Sequence, residues 1–111
     1  MILYNVTVQI ERDVQKDWLS WMQTTHIPDV LKTGLFTSCK LCKILGQEDN
    51  PAGISYAIQY TSPSMEAFIQ YRDTFAVKLQ EEHSERYKGK YVAFRTLLEV
   101  ISEIAPSNET A

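Results

Sequence analysis

Residues 2 to 10 constrain the fold most. Ile2, Tyr4, Val6, Val8 and Ile10 are apolar and β-favouring, with Asn5, Thr7 and Gln9 set between them. A period of two sustained over this length marks a strand with one strongly buried face. Such a face needs a covering layer, which the following segments must supply.

After Glu11-Arg12-Asp13 the period changes. Val14, Trp18, Trp21, Met22 and Thr25 recur at three- and four-residue spacing, one face of a helix, with Asp13 as its expected N-cap. Pro28 disfavours the α conformation at Ile27 and removes a donor, so the helix is expected to kink or break near His26-Ile27. Asp29 to Thr33 adds a further turn, and Gly34 suits the left-handed end. Leu35 to Leu45 reads as a second strand without a clean face, an edge strand guarded by its lysines. Gly46 to Gly53 is a polar turn, and Ile54 to Thr61 a third strand, joined to the second as a hairpin. Ser62-Pro63 opens a second helix with serine as its expected cap. Met65, Phe68, Ile69, Arg72, Phe75, Ala76, Leu79, His83 and Tyr87 trace that helix to Lys88-Gly89-Lys90. Tyr91 to Ile104 forms a long fourth strand, and Ala105 to Ala111 a flexible tail.

The order β-α-β-β-α-β is that of the ferredoxin-like fold. Its class is α+β, with a four-stranded antiparallel sheet and two helices on one face. Residues 1–104 are expected to form a single domain, in keeping with a chain of 111 residues and 44% apolar content. Val92, Phe94, Thr96, Leu98 and Val100 are assigned to the helix-covered side of the fourth strand. Tyr91, Ala93, Leu97 and Ile101 are assigned to the open side with Arg95 and Glu99. A strand apolar on both faces is usually covered on both, so a second copy of the chain is expected on the open sheet face, giving a homodimer. Arg95 and Glu99 lie roughly 13 Å apart along a strand and cannot pair within one chain. Pairing across a dimer axis is one reading of them, and lining a ligand-filled barrel is the other.

Charge excludes several roles. Fourteen acidic and eleven basic residues leave a net charge of −3, without the basic footprint that nucleic-acid backbones require. No apolar run reaches the length of a membrane span, and Met1-Ile2-Leu3-Tyr4-Asn5 has no basic region of a signal peptide. No nucleic-acid or membrane partner is expected, and the cytoplasm is the default compartment. Cys39 and Cys42 form a CxxC pair, but they have no second cysteine pair to complete a zinc site and no helix start to activate a thiol. They read as ordinary reduced thiols, and no metal is expected.

The chemistry-bearing candidates gather around the helices. His26 sits at the predicted helix break and His83 one turn after Leu79 on the apolar side of the second helix; both are candidate acid–base residues. Trp18 and Trp21 are bulky enough to wall a cavity, and Tyr56, Tyr60 and Tyr71 bring hydroxyls that need partners when buried. The candidate ligand-binding set is therefore Trp18, Trp21, Tyr56, Tyr71 and, on the barrel reading, Arg95. Two classes of function follow. One is a cofactor-free small-molecule enzyme, an oxygenase or isomerase, which requires a cavity reached by a histidine and a tyrosine. The other is a non-catalytic dimeric module that binds a metabolite or a protein.

The blocks Met1-Ile2-Leu3-Tyr4-Asn5-Val6-Thr7-Val8, Trp18-Leu19-Ser20-Trp21-Met22, His26-Ile27-Pro28-Asp29-Val30-Leu31, Gly34-Leu35-Phe36 and Ala93-Phe94-Arg95-Thr96-Leu97-Leu98-Glu99 resemble a bacterial family of unknown function, DUF4286. More broadly the chain is similar to the dimeric α/β-barrel superfamily, which implies sheet-to-sheet pairing and a ligand site between helices and sheet. The haem-degrading branch of that superfamily implies an asparagine on the first strand and a tryptophan and a ligating histidine on the second helix. Asn5 and His83 match two of these, but no tryptophan occurs in the second helix and Asn5 falls on the less apolar face. No cofactor is expected.

Overall fold

The computed structural model describes residues 1–107; residues 108–111, the end of the predicted tail, lie outside the described residues. Strands β1 (Ile2–Ile10), β2 (Ser38–Lys43), β3 (Ile54–Ser62) and β4 (Tyr91–Glu99) form one antiparallel sheet in the order β2-β3-β1-β4. β2 is an edge strand, as expected, but shorter than the predicted 35–45. Its neighbours in sequence bend away, Phe36 into the core and Ile44 into the turn. The hairpin closes on Gly53 (φ +140°), where a Cβ would run into the Ile10 carbonyl, so only glycine lets the turn lie this close to the end of β1.

The first helix spans 15–31 and consists of α1 (Gln15–Trp21), a π-helical turn (Met22–His26) and α2 (Ile27–Leu31). Pro28 does not break it. Ile27 keeps helical angles (φ −61°, ψ −46°), and its N–H reaches back five residues to the Met22 carbonyl. The widened turn takes up the mismatch that the missing proline donor would otherwise force on a regular α-helix. The second helix spans 65–86 with the same plan: α3 (Met65–Tyr71), a π turn (Arg72–Ala76) and α4 (Val77–Arg86).

Both predicted caps are corrected. The first helix starts after Val14 with no side-chain cap, because Lys90 Nζ holds the Asp13 carboxylate at 2.8 Å. In the second helix Ser64, not Ser62, accepts from the Ala67 N–H at 3.1 Å. Ser62, preceding Pro63, stays extended as the last residue of β3 and donates its hydroxyl to the Leu35 carbonyl at 3.1 Å.

Both helices lie on one face of the sheet, over Ile2, Tyr4, Val8 and Ile10 of β1 and Tyr56, Ile58 and Tyr60 of β3. Register then decides the faces of β4. Tyr4 pairs with Leu97, Val6 with Arg95 and Val8 with Ala93, so these residues share the helix-covered side. The predicted assignment of β4 is therefore reversed. Tyr91, Ala93, Arg95, Leu97 and Glu99 face the helices, and Val92, Phe94, Thr96 and Leu98 face the open side. The strand ends at Glu99, and Ile101 and Ile104 beyond it are exposed.

Candidate functional site

The widened turn of the first helix aims Met22 and His26 toward the sheet. α4 brings Gln80 and His83 to the same region, and β4 adds Tyr91, Ala93 and Arg95 from below. Between these elements and the aromatic face of β1 and β3 lies a cavity of about 40 Å³. Tyr4, Tyr60 and Tyr71 complete its polar lining, and Val6, Val8 and Ile58 its apolar floor.

His83 is locked in one protonation state. Trp18, fully buried, donates its indole N–H to His83 Nε2 at 2.9 Å. An indole N–H only donates, so Nε2 must be the unprotonated nitrogen and the ring is the neutral Nδ1–H form. Burial, the neighbouring His26 and the Arg95 cation together hold His83 down at about 4.

His26 lies beside it, with ring centroids 5.7 Å apart, and stacks on Trp21 at 5.0 Å. Its Nδ1 is buried and has no hydrogen-bond partner among the described residues. Burial lowers His26 to about 4; Asp29 opposes that shift and Arg95 adds to it. Two adjacent imidazoles are thus both neutral at physiological pH, and one has a free ring nitrogen. On the outer side, the Arg86 guanidinium sits 5.4 Å over the Trp21 ring and pairs with Asp17, whose carboxylate also accepts from the Tyr87 hydroxyl at 2.7 Å. This network ties the first helix to the second behind the histidines.

The phenols are strongly protonated. Burial raises Tyr4, Tyr60 and Tyr71, while Arg95 partly offsets the effect at Tyr4 and Tyr71. They can donate to a developing oxyanion without ionising first. Cys39, beside Tyr60 on β2, is pushed up to about 12 by burial, and Cys42 is exposed on the opposite face. Cys39 is therefore not an activated thiol. Among the described residues no three His, Cys, Asp or Glu side chains gather as a metal set.

The structure thus brings His26, His83, Tyr71 and Arg95 together in one wall. Trp18 and Trp21 stand behind the histidines rather than in the cavity. Tyr56 also lies outside it, packed 5.1 Å from the Trp18 ring and accepting from Gln15 Nε2 at 2.6 Å. Gln80, Tyr4 and Tyr91 were not singled out from the sequence. The alternation of β1 already placed Tyr4 on the covered face, whereas Tyr91 needed the true register of β4. Asn5 donates to Thr7 Oγ1 at 3.0 Å on the open face, away from the cavity, so the asparagine of the haem-degrading pattern has no counterpart there.

A family model described as a domain of unknown function, DUF4286, matches residues 1–101. Among curated protein sequences none matches the chain. Solved structures share its fold at low identity. A protein of the ethyl tert-butyl ether d family from Bacillus halodurans is 15% identical, with TM-score 0.67, over 91% of this chain and all of that one. A dimeric ferredoxin-like protein from an uncultured marine organism is 10% identical, with TM-score 0.67, over 96% of this chain and all of that one. A proposed antibiotic biosynthesis monooxygenase from Nitrosomonas europaea is 7% identical, with TM-score 0.65, over 92% of this chain and all of that one. These likenesses establish the ferredoxin-like α+β fold. No helix among the described residues is long and apolar enough to cross a membrane.

Proposed function

The chain belongs to the DUF4286 family, and we propose that it is a small-molecule enzyme that removes a proton from its substrate in the cavity between helices and sheet. The observation that carries this reading is the two adjacent neutral histidines, one with a buried Nδ1 unpartnered among the described residues, lining the same cavity as several tyrosines. In the Nε2–H tautomer His26 offers its Nδ1 lone pair to an acidic C–H or O–H. The tyrosines then donate to the resulting oxyanion. A carbanion formed this way returns its proton at another carbon in an isomerase or reduces dioxygen in a cofactor-free oxygenase. The name of the Nitrosomonas neighbour supports the second outcome by fold alone.

The test is a set of small ketones, phenols and oxo acids offered to the protein in D2O. At least one compound is expected to shift the resonances of His26, His83 and Tyr71 and to exchange its acidic hydrogen. His26→Gln is expected to slow that exchange about 100-fold, a usual contribution for a positioned base. Exchange unaffected by His26→Gln would remove the base. Binding in the cavity with no exchange would leave the second reading, a metabolite-binding module.

The homodimer belongs to the same proposal. Val92 (66% exposed), Phe94 (61%) and Leu98 (45%) form an apolar strip on the open sheet face, where the ferredoxin-like neighbours named dimeric give the precedent. A Phe94→Glu change buries a charge in that interface, so light scattering should report a dimer for the native chain and a monomer for the variant. A native species of 12.8 kDa would refute the pairing.

A further inference from the structure

Among the described residues the arginines are answered by anions or carbonyls, with one exception. Arg72 pairs with Asp73 at 2.9 Å and Arg86 with Asp17 at 3.3 Å, while Arg12 donates to the Glu48 and Asn50 carbonyls. Arg95 has no carboxylate within ion-pair distance among the described residues; its polar neighbour is the Tyr4 hydroxyl. Among the described residues it is also the one formally charged side chain in the cavity wall, and no acid accompanies it there.

Its position gives that exception a meaning. Tyr4, Tyr71, Gln80 and Arg95 border both the inner cavity and an outer groove of about 410 Å³ running along β4 beneath the second helix. These four residues are the shared boundary of the two spaces, so a ligand passing from the groove into the cavity must cross them. A cation at the mouth of an otherwise uncharged cavity recognises an anion that stops there while the rest of the ligand goes in. The inner space limits that part: about 40 Å³ holds roughly three to four heavy atoms, at about 10–15 Å³ for each water-sized volume.

We propose that the substrates are small carboxylic acids, their carboxylate gripped by Arg95 at the mouth and a short enolisable group carried inward to His26 and His83. This rests on the reading of the cavity as a proton-abstraction site. Short oxo acids are the simplest members of the class. The C–H electron pair moves into the enolate, the proton goes to His26 Nδ1, and return of a solvent-derived deuteron to the same carbon completes an exchange with no other reactant. A bound carboxylate also neutralises Arg95, a cation whose field disfavours protonation of both histidines, and so makes them better bases when substrate is present.

The probes are 2-oxobutanoate and its uncharged analogue 2,3-pentanedione, titrated into protein labelled at histidine and followed by NMR in D2O. 2-Oxobutanoate is expected to shift both histidines, to bind at least tenfold more tightly than the dione, and to exchange its C3 hydrogens. Arg95→Gln should weaken the acid at least tenfold and leave the dione unchanged, with Arg95→Lys recovering part of the loss. Equal affinity of acid and dione, both shifting the histidines, would overturn the carboxylate class and leave the cavity site standing. Failure of both probes to shift the histidines of the folded native protein would overturn the class and the site together.

Discussion

Replacing Trp18 with alanine is expected to lower the unfolding free energy by about 4 kcal/mol, as large aromatic truncations in packed cores do. Trp18 is fully buried between the Tyr56 ring and His83. Its loss removes the packing at the base of the first helix and leaves His83 Nε2 without a donor. An unsatisfied buried acceptor costs about 1–3 kcal/mol beyond the lost area. Against a total of about 5–15 kcal/mol for a domain of this size, the variant sits near the edge of folding. Trp18→Phe separates the two effects. It keeps most of the buried ring and loses only the hydrogen bond, so guanidinium unfolding should place it between the native chain and Trp18→Ala. It also frees His83 to take the Nε2–H tautomer, a change that packing alone does not produce. Equal stability for Trp18→Phe and the native chain would mean that the indole N–H does not hold the histidine.

The second large effect is with pH. His83 stands at about 4 when folded, against about 6.5 in an unfolded chain. Between those values the unfolded chain takes up a proton that the folded chain refuses. Stability is therefore full above about pH 6.5, falls as the pH drops toward 4, and loses no more to this group below that. A gap of that size corresponds to about 3 kcal/mol for His83. His26, half-buried and also held at about 4, adds a smaller loss of the same sign. The groups facing the pair act in known directions: Arg95 deepens both shifts, and Asp29 opposes the one at His26. Guanidinium unfolding at pH 7.5 and at pH 4.5 should show the loss, and His83→Gln should remove most of it. A native chain no less stable at pH 4.5 would contradict the buried neutral pair.

Much of the architecture was legible because β1 alternates without ambiguity and both helices carry apolar stripes. Where the sequence misled, two answers satisfied the same pattern. β4 is apolar on both faces, so alternation gives its period but not its orientation. That is settled by the long-range register that sets Val6 opposite Arg95. Arg95 consequently moved from the open face to the mouth of the cavity. The residues flanking Pro63 are both serines, and proline's hold on the preceding residue decides which of them caps. Pro28 correctly marked an irregularity, but the chain accommodates it with one widened turn, which periodicity cannot distinguish from a break. His26 and His83 are independent candidates in the sequence, and nothing in their spacing of 57 positions foretells rings 5.7 Å apart. Only the packing of the two helices onto the sheet creates that pair.

The proposed site stands on two neutral imidazoles that a ligand can reach inside the fold. Long-range proton–nitrogen NMR of the histidine side chains, followed from pH 8 to pH 4 with and without 2-oxobutanoate, measures it directly. The expected result is two neutral rings down to about pH 4, His83 fixed as the Nδ1–H tautomer, and a shift at His26 when the acid is added. Two rings that titrate near 6.5 and ignore the acid would be ordinary solvated histidines, and the site would not exist.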